Sequence, residues 1–346
     1  MPLSDETPTR QHGPTRRPAA LPGAYHPAMP ASQTPAAWRT ALLTTVAMLA
    51  FAGNSLLCRI ALKQTGIDAA SFTSVRLVSG ALVLALLVGW RGRGAAGASG
   101  ATHATGAVGP VRPWHAGDWL SAAALFVYAA GFSFAYLSLS AATGALLLFG
   151  VVQTTMIGWG LRQGERLQPL QWLGLAAASA GLVWLLLPGL AMPSVTAGAL
   201  MACAGIAWAV YTLRGRRRGV GDATAVTAGN FLRAAPLALG LSALLWAQAR
   251  WDGTGIVLAL ASGGLASGLG YAIWYTALRG LTATRAAIVQ LSVPALATAG
   301  GALLLGEPLT PQVLGASVAV LGGVALVIVA RPVVQPVVRK VVRPVV

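Results

Sequence analysis

Between residues 40 and 330, apolar residues occur in long runs that short polar stretches separate. A helix needs about 20 mostly apolar residues to cross the hydrocarbon core of a bilayer, and these runs approach that length throughout the region. The pattern predicts an all-α integral membrane protein with ten transmembrane helices. The predicted helices span residues 41–62, 70–90, 118–139, 141–161, 169–188, 195–213, 223–246, 254–278, 284–305 and 311–330.

Polar residues at the helix starts support these boundaries. Asp118, Ser194 and Asp222 stand where an N-cap side chain would accept a hydrogen bond from the first helical turn, and Thr310 precedes Pro311 at a first helical position. Outside the helices, residues 1–37 are rich in proline and polar residues, which predicts a disordered cytoplasmic arm. Residues 331–346 form a basic cytoplasmic tail, which we expect to contact anionic lipid.

The chain repeats itself. "GERLQPLQWLGLAAASAGL" begins at Gly164 and "GEPLTPQVLGASVAVLGG" begins at Gly306. The repeat extends upstream, where "FAYLSLSAATG" matches "IWYTALRGLTA". Two repeats of five helices follow, residues 38–190 and 191–330. Because five is odd, the second repeat enters the bilayer from the opposite face, and such inverted repeats are a recurrent construction of secondary transporters that work by alternating access.

Composition and charge agree with a membrane location. Hydrophobic residues make up 56% of the chain and charged residues 9%. The net charge of +16 is that of many nucleic-acid-binding proteins, but the basic residues follow the predicted topology. Lys63 and Arg250 are the only lysine and arginine in outer loops, and Arg59, Arg76 and Arg233 lie inside helices; all others of the 24 fall in inner segments. This positive-inside bias predicts cytoplasmic N- and C-termini and argues against a nucleic-acid partner.

The predicted membrane interior contains no carboxylate and no histidine. All acidic residues fall in tails, loops or helix ends: Asp5, Glu6, Asp68, Asp118, Glu165, Asp222, Asp252 and Glu307. An exchanger that binds lipophilic cations and protons on one buried glutamate is therefore disfavoured, as are a histidine proton relay and an intramembrane Ser-His hydrolase. Cys58 and Cys203 are isolated, and the sequence has no CxxC motif and no cluster of His or Asp, so we expect no metal. We also expect no cofactor and no enzyme activity.

Polar and aromatic residues inside the predicted helices are the candidate substrate-binding residues. They are Asn54, Arg76, Tyr136, Gln153, Trp208, Tyr211, Trp274, Tyr275 and Gln290. Each also has a structural interpretation. Arg76 and Arg233 lie near helix ends and can snorkel to the interface, Asn54 can bond a neighbouring helix, and aromatic residues commonly pack or form interface belts.

Three further motifs have two interpretations each. The glycines seven residues apart, Gly174 with Gly181 and Gly315 with Gly322, predict either close packing of helices 5 and 10 or a dimer seam, so the oligomeric state stays open. Glu165 and Glu307 predict either capping of a neighbouring helix or a gating and proton role. In helix 8, "ASGGLASGLG" predicts close backbone approach or a soft gate rather than a phosphate loop, because no strand precedes it.

These motifs resemble one known family. The two "GE-x-L-x-P" motifs, the glycines seven apart and the helix-1 stretch "AGNSLLCR" resemble the ten-helix branch of the drug/metabolite transporter superfamily, with its two EamA-type repeats. Pro294 in helix 9 also fits such repeats, whereas "FGVVQTTMIGW" in helix 4 has no proline and helix 6 lacks the Asn and Arg of helix 1. The resemblance implies a multi-pass protein of the cell membrane, the inner membrane in a bacterium. It also implies a secondary carrier that exports a small polar metabolite such as an amino acid.

Two alternatives stay open at this point. The protein could exchange phosphorylated or nucleotide-linked metabolites, which predicts that Arg76 or Arg233 faces the cavity. It could also be a non-transporting membrane scaffold that docks partners through "RGRRR" and the basic tail. Substrate identity, transport direction and coupling ion also stay open.

Overall fold

The computed structural model describes residues 37–98, 115–163, 167–186, 194–217, 222–278, 281 and 289–329, and within these ranges all regular secondary structure is helical. The helices belong to one unit, Pro35–Val346. They are α1 Ala37–Gln64, α2 Ala69–Ala98, α3 Trp119–Tyr136, α4 Ala141–Arg162, α5 Pro169–Leu186, α6 Val195–Arg217, α7 Ala223–Leu244, α9 Ser292–Leu305 and α10 Pro311–Val329, with α8 between α7 and α9. Helix α8 runs through three consecutive segments, Gly253–Leu260, Ala261–Leu269 and Gly270–Leu278, of which the middle one is a π-helix.

Each predicted segment coincides with a helix over the residues that the structure describes, and the differences lie at the ends. Residues 187–188, 284–288 and 330 of the predicted segments lie outside the described residues. Helix α2 continues to Ala98, beyond the predicted end at residue 90. Helix α3 ends at Tyr136, three residues early, because Ser140 must leave the helix to cap α4 by accepting from Thr143 N. The predicted arm lies outside the described residues, apart from Ala37, and so does the predicted tail.

The predicted N-caps are confirmed. Asp118 accepts from Ser121 N at 3.0 Å and Asp222 from Thr224 N at 2.9 Å. Ser194 accepts from Ala197 N at 3.2 Å, and Thr310 from Val313 N at the same distance. These bonds satisfy backbone donors that the helices leave unpaired at their N-termini.

Within the described part of the chain, six helices are long and apolar enough to cross a membrane, and two shorter ones, Ser292–Leu305 and Pro311–Leu326, are also apolar. The six are Trp38–Gln64, Ala69–Gly92, Trp119–Tyr136, Ala141–Arg162, Val195–Gly215 and Gly253–Ala277. Exposed tryptophans stand near helix ends, as in the aromatic belts of membrane proteins: Trp38, Trp90, Trp119, Trp172, Trp184, Trp246 and Trp251.

The helices pack in a pattern that repeats between the two halves of the chain. The contact between α3 and α6 corresponds to that between α8 and α1, and the contact between α4 and α6 to that between α9 and α1. The contact between α3 and α7 corresponds to that between α8 and α2. The pairs α2 with α7, α4 with α9 and α5 with α10 complete the set of main contacts. If each helix is replaced by the helix five positions later, with α1 counted after α10, the same set of helix contacts results.

Small residues join α5 to α10. A methyl group added to Gly181 would lie 2.8 Å from the Ala319 Cβ, and one added to Gly323 would collide with the Gly174 carbonyl and the Ala178 backbone. The interpretation of the spaced glycines as close packing within the fold is thus confirmed. The contact uses Gly323 and not the predicted Gly322, around which there is open space, because one residue turns the helix face by about 100°.

The two ends of the bundle are defined by the contacts between loops. At one end, here the Glu307 end, α1 and α3 finish and α4 begins; the loop before α2 also meets the loop before α8, where Arg250 N donates to Asp68. At the other, the Asp118 end, α3 and α7 begin and α6 finishes. Consecutive helices thus run antiparallel wherever these contacts fix their direction.

Candidate functional site

The centre of the bundle is a cluster of aromatic rings from both halves of the chain. Phe51 of α1, Tyr128 and Phe132 of α3, Trp208 of α6 and Tyr271 of α8 are all buried. The centroid of the Trp208 ring lies 4.8 Å from that of Tyr128 and 5.1 Å from that of Tyr271. These rings and Asn54 enclose a cavity of about 20 Å³, which is enough for a single water molecule.

Helical spacing explains why these rings converge. Tyr128, Phe132 and Tyr136 are four residues apart, which places them on one face of α3. Trp208 and Tyr211 are three apart on α6, and their ring centroids lie 5.6 Å from each other. Tyr136, Trp208 and Tyr211 were predicted from the sequence, whereas Phe51, Tyr128, Phe132 and Tyr271 were not. The four-residue aromatic period on α3 was the available signal.

Asn54 joins α1 to the π-helical segment of α8. Its side-chain oxygen accepts from the Ser262 hydroxyl at 2.7 Å and from the Ser267 hydroxyl at 3.5 Å. Residues five apart face different directions on an α-helix but are in hydrogen-bonding register on a π-helix, so the π segment turns both serines toward Asn54. Asn54 therefore both bonds a neighbouring helix and lines the cavity.

The stretch around these serines also brings α2 and α8 into close contact. A methyl group on Gly263 would collide with the Arg76 carbonyl and the Ser79 hydroxyl, and one on Gly80 would lie 3.0 Å from the Gly263 carbonyl oxygen. The expected close backbone approach in "ASGGLASGLG" is thus observed. Because π-helical turns concentrate at functional sites, this crossing is itself a candidate for conformational change.

Arg76 is fully buried beside the aromatic cluster, with 1% of its surface exposed. Its Nη2 donates to the Tyr128 hydroxyl and its Nε to the Ser267 hydroxyl, both at 3.3 Å. Its guanidinium carbon lies 5.3 Å from the centroid of the Tyr128 ring and 5.0 Å from that of Phe132. The Arg76 Nη1 has no hydrogen-bond partner among the described residues. The alternative that Arg76 snorkels to the interface is therefore wrong.

Arg233, which the sequence aligns with Arg76, has a different environment. Its Nη1 donates to the Ala116 carbonyl, in the loop before α3, and to the Gly229 carbonyl at 2.9 Å. These contacts hold α7 against the start of α3. Arg233 thus serves the packing of the Asp118 end.

The remaining candidates surround the cluster. Trp274 lies edge-on to Phe51, with ring centroids 5.9 Å apart, and Tyr136 lies edge-on to Phe132 at 4.7 Å. Gln153 is buried on α4, one turn after Phe149, which lines the cavity. The other two candidates are half-buried: Tyr275 on α8 and Gln290 in the helical turn before α9. Pro294 lies in the first turn of α9, where a backbone N–H has no hydrogen-bond partner within the helix, so the lack of an N–H on proline costs no helical hydrogen bond.

Glu307 and Arg59 form a partly buried ion pair at the Glu307 end. One carboxylate oxygen accepts from Arg59 Nε at 2.9 Å and the other from Ala141 N, at the start of α4, at 2.7 Å. Arg59 Nη1 also donates to the Tyr136 carbonyl at 2.8 Å. The expected capping of a neighbouring helix by Glu307 is therefore observed, and the pair ties α1, α3 and α4 to the loop before α10. Glu165, the matching residue of the first repeat, lies outside the described residues.

A second ion pair lies at the Asp118 end. Arg214 Nη2 donates to Asp118 Oδ1 at 2.9 Å, and the Asn230 side chain accepts from Asp118 N at 3.0 Å. Burial acts to raise the pKa of the Asp118 carboxyl, but the hydrogen bonds from Ser121 and the charge of Arg214 outweigh it, so that this pKa falls to about 2. The pair links α3 to α6 across the two halves.

The chain is similar to a known protein family and to several known proteins. A model of the EamA-like transporter family matches residues 196–329. An uncharacterized protein of Pseudomonas aeruginosa is 56% identical over 293 residues, which cover 85% of this chain and 96% of that protein. The threonine/homoserine exporter RhtA of Escherichia coli K12 is 34% identical over 147 residues, 42% of this chain and 50% of the exporter, so that the match spans half of that protein.

A solved crystal structure has the same fold. It matches with a TM-score of 0.56 at 20% sequence identity, covering 84% of this chain and 96% of its own. The family match, the relatives and the apolar helices together identify the chain as a multi-pass protein of the cell membrane that belongs to the EamA-like transporter family of the drug/metabolite transporter superfamily.

Proposed function

We propose that this protein is a secondary transporter that exports a small polar metabolite, such as an amino acid, across the cytoplasmic membrane by alternating access. One observation carries the proposal: the buried polar and aromatic centre draws its side chains from both halves of the chain. Asn54 and Arg76 come from the first half, and Trp208, Ser262 and Ser267 from the second. A site between two halves is the one whose access changes when one half moves against the other.

The proposal includes ten membrane spans, arranged as two inverted repeats with both termini in the cytoplasm. The repeated pattern of helix contacts supports this arrangement, because each helix of residues 37–186 has a counterpart with matching contacts in residues 195–329. The distribution of basic residues supports the orientation. In this arrangement the Asp118 end faces the cytoplasm and the Glu307 end faces outward.

The two ion pairs are the proposed gates. Arg59 and Glu307 hold the outer end closed, and Asp118 and Arg214 hold the inner end closed. A cavity of about 20 Å³ is far smaller than the sites that bind small metabolites, so binding requires the aromatic rings to separate. Breaking either pair would free one end while the other stays closed.

The proposed binding residues are Asn54, Arg76, Trp208, Tyr211 and Trp274 at the centre. Tyr136, Gln153, Tyr275 and Gln290 extend the path. An amino acid as cargo is supported by the name of the relative, a threonine/homoserine exporter. The described cavity residues are aromatic or neutral, lie near one arginine and include no carboxylate. Such a site suits a zwitterion or an anion better than a cation.

A carrier of phosphorylated metabolites is the second candidate, and the position of Arg76 favours it. A phosphate monoester carries up to two negative charges and calls for several cationic donors. Arg233, the other helix-embedded arginine of the sequence alignment, donates instead to the Ala116 and Gly229 carbonyls. We therefore rank this candidate below an amino-acid carrier.

Counterflow in liposomes tests the proposed function. Purified protein is reconstituted and counterflow of labelled neutral, aromatic and acidic amino acids is followed, with and without a pH gradient. We expect counterflow of at least one compound, which Asn54→Ala and Trp208→Ala abolish and Trp246→Ala, at an exposed position, leaves unchanged. Absence of counterflow for the whole panel by folded protein would overturn the proposal, and gradient dependence would direct attention to Glu165 and Glu307.

Deleting residues 1–36 and 331–346 tests the scaffold alternative. A carrier whose site lies at the bundle centre should retain counterflow without these segments. Loss of the cellular role of the protein with full retention of transport would instead support docking through the tails.

A further inference from the structure

We infer that the Arg76 guanidinium is the receptor for a carboxylate of the transported molecule, so that the cargo is a small monocarboxylate with no net positive charge. The inference rests on the proposed function and specifies its substrate class. It starts from a buried group for which the described residues provide no counter-ion.

Arg76 is an incompletely satisfied charge. Only 1% of its surface is exposed, and Tyr128 and Ser267 occupy two of its nitrogens with long bonds of 3.3 Å. Nη1 has no partner among the described residues, and both ion pairs found among these residues involve other arginines. A guanidinium carries five N–H donors in a planar fork that matches a carboxylate, so the unused edge has the geometry for one.

A buried charge without a counter-ion is among the most costly arrangements in a membrane protein. The contacts with the rings of Tyr128 and Phe132 offset part of this cost through cation–π attraction. An anionic ligand would offset the remainder. The residue is thus best explained by a molecule that the folded chain binds.

The surroundings of Arg76 connect it to the cavity. Tyr128 and Phe132 contact its guanidinium and also line the cavity, so one side chain separates the charge from that space. Asn54 also lines it, and because its oxygen is occupied by two serine hydroxyls, its NH₂ group is left to donate. A carboxylate that replaced the ring contacts would accept from Arg76 Nη1 and from this amide.

The charge count selects a monoanionic group. Arg76 is the buried cation at this site, and the polar neighbours, Asn54, Ser262 and Ser267, are neutral. A carboxylate therefore balances the site, while a dianionic phosphate leaves excess negative charge. A cargo with net positive charge meets Arg76 and no carboxylate among the described cavity-lining residues.

Ligand-induced stabilisation of the purified full-length protein in detergent tests this inference. The probes are L-threonine and L-threoninamide, which differ at the carboxylate, and L-lysine as a cationic amino acid. We expect wild-type protein to bind L-threonine about ten- to hundredfold more tightly than the amide, the range expected of a charged hydrogen-bonded pair. We expect L-lysine to bind no better than the amide.

Three variants separate recognition from folding. Arg76→Met should abolish the preference for carboxylate over amide, while its melting temperature without ligand stays equal to or above that of wild type, because an unpaired buried charge has been removed. Arg76→Lys keeps the charge without the fork and should keep a reduced preference. Arg233→Met is the matched control: it removes a structural arginine, so it should lower the melting temperature and leave the preference intact.

The outcomes are distinguishable from failure of the proposed function. Carboxylate preference that persists in Arg76→Met, or a clear fall in its ligand-free melting temperature, overturns the inference even where counterflow is observed. Stabilisation of wild type by chloride alone, with no effect of any carboxylate, also overturns it. Arg76-dependent binding without counterflow supports the receptor and counts against transport.

Discussion

Arg59 and Arg76 are arginines on consecutive helices, and the fold treats them in opposite ways. Arg59, with 7% of its surface exposed, donates to the Glu307 carboxylate and to the Tyr136 and Leu137 carbonyls. Arg76 is more deeply buried, yet it bonds two hydroxyls and leaves Nη1 unpaired among the described residues. Among the residues that the structure describes, the charge of Arg59 has a counter-ion and the charge of Arg76 has none.

This contrast distinguishes charges that stabilise the fold of a membrane protein from charges that serve its function. A structural arginine is enclosed by its own acceptors, so that its removal exposes a partner that folding had satisfied. A buried arginine without a counter-ion stabilises the fold little by itself, and this is why we assign Arg76 to a ligand. We therefore expect substitutions of the two arginines to change the stability of the folded protein by different amounts.

The largest effect is expected for Arg59→Met. It leaves the Glu307 carboxylate without its counter-ion at the start of α4, and removing one partner of a largely buried pair typically costs about 3–5 kcal/mol. The melting temperature in detergent measures the loss. Lys63→Met, at an exposed position on the same helix, is the control and should change little. Equal melting temperatures for both variants would mean that the pair contributes nothing to the fold.

A double-mutant cycle sharpens this result. Glu307→Gln removes the negative charge but keeps an oxygen that can accept from Ala141 N, so it should cost less than Arg59→Met. We expect a coupling energy of about 1–3 kcal/mol between the two sites, since neighbouring charges are not additive. Additive losses would show that each residue acts through its other contacts alone.

At the Asp118 end the effect should be smaller and depend on pH. The side chains of Arg214 and Asp118 are 32% and 18% exposed, compared with 9% and 14% for Arg59 and Glu307. Solvent therefore screens this pair more, and Asp118→Asn, which keeps an N-cap oxygen, should cost about 1 kcal/mol near neutral pH.

The sign of the pH dependence follows from the lowered pKa of Asp118. The folded protein holds this carboxyl at a pKa of about 2, below its ordinary value of about 3.9, so the folded state favours the charged form. Its contribution is complete above about pH 4 and is lost as the pH falls toward about 2. Thermal melts of wild type and Asp118→Asn should converge over this interval, and a constant difference would contradict the assignment.

The smallest effect is expected for Arg76→Met without ligand. Losing two 3.3 Å hydrogen bonds is offset by removal of a buried charge, so the free energy of unfolding should stay unchanged or rise by up to about 1 kcal/mol. Comparison with Arg59→Met under the same conditions is the direct measurement. A loss as large as that of Arg59→Met would place both arginines in the same structural class.

Sequence reasoning succeeded where backbone chemistry is local. The four N-caps were found because a short polar side chain before an apolar run has one efficient use. It succeeded less well at the site. Trp208 and Tyr211 were found, but Tyr271 and Phe51 were not, because lipid-facing and core-facing sides of a membrane helix are similarly apolar. The alignment of Arg76 with Arg233 also gave no sign that one is enclosed by rings and the other by carbonyls.

The membrane location, the helices and the repetition of the chain follow from the amino-acid sequence, because they depend on the length of apolar runs, on caps and on residue spacing. Only the tertiary structure decided which polar groups meet. The π-helical turn brings Ser262 and Ser267 to Asn54, and Glu307 bonds the start of α4; both contacts join residues distant in the sequence. That Arg76 Nη1 has no partner among the described residues also depends on the helices around it. The physical reason is that neutralisation of a buried charge depends on which helices pack together, and no pattern within one helix records its neighbours.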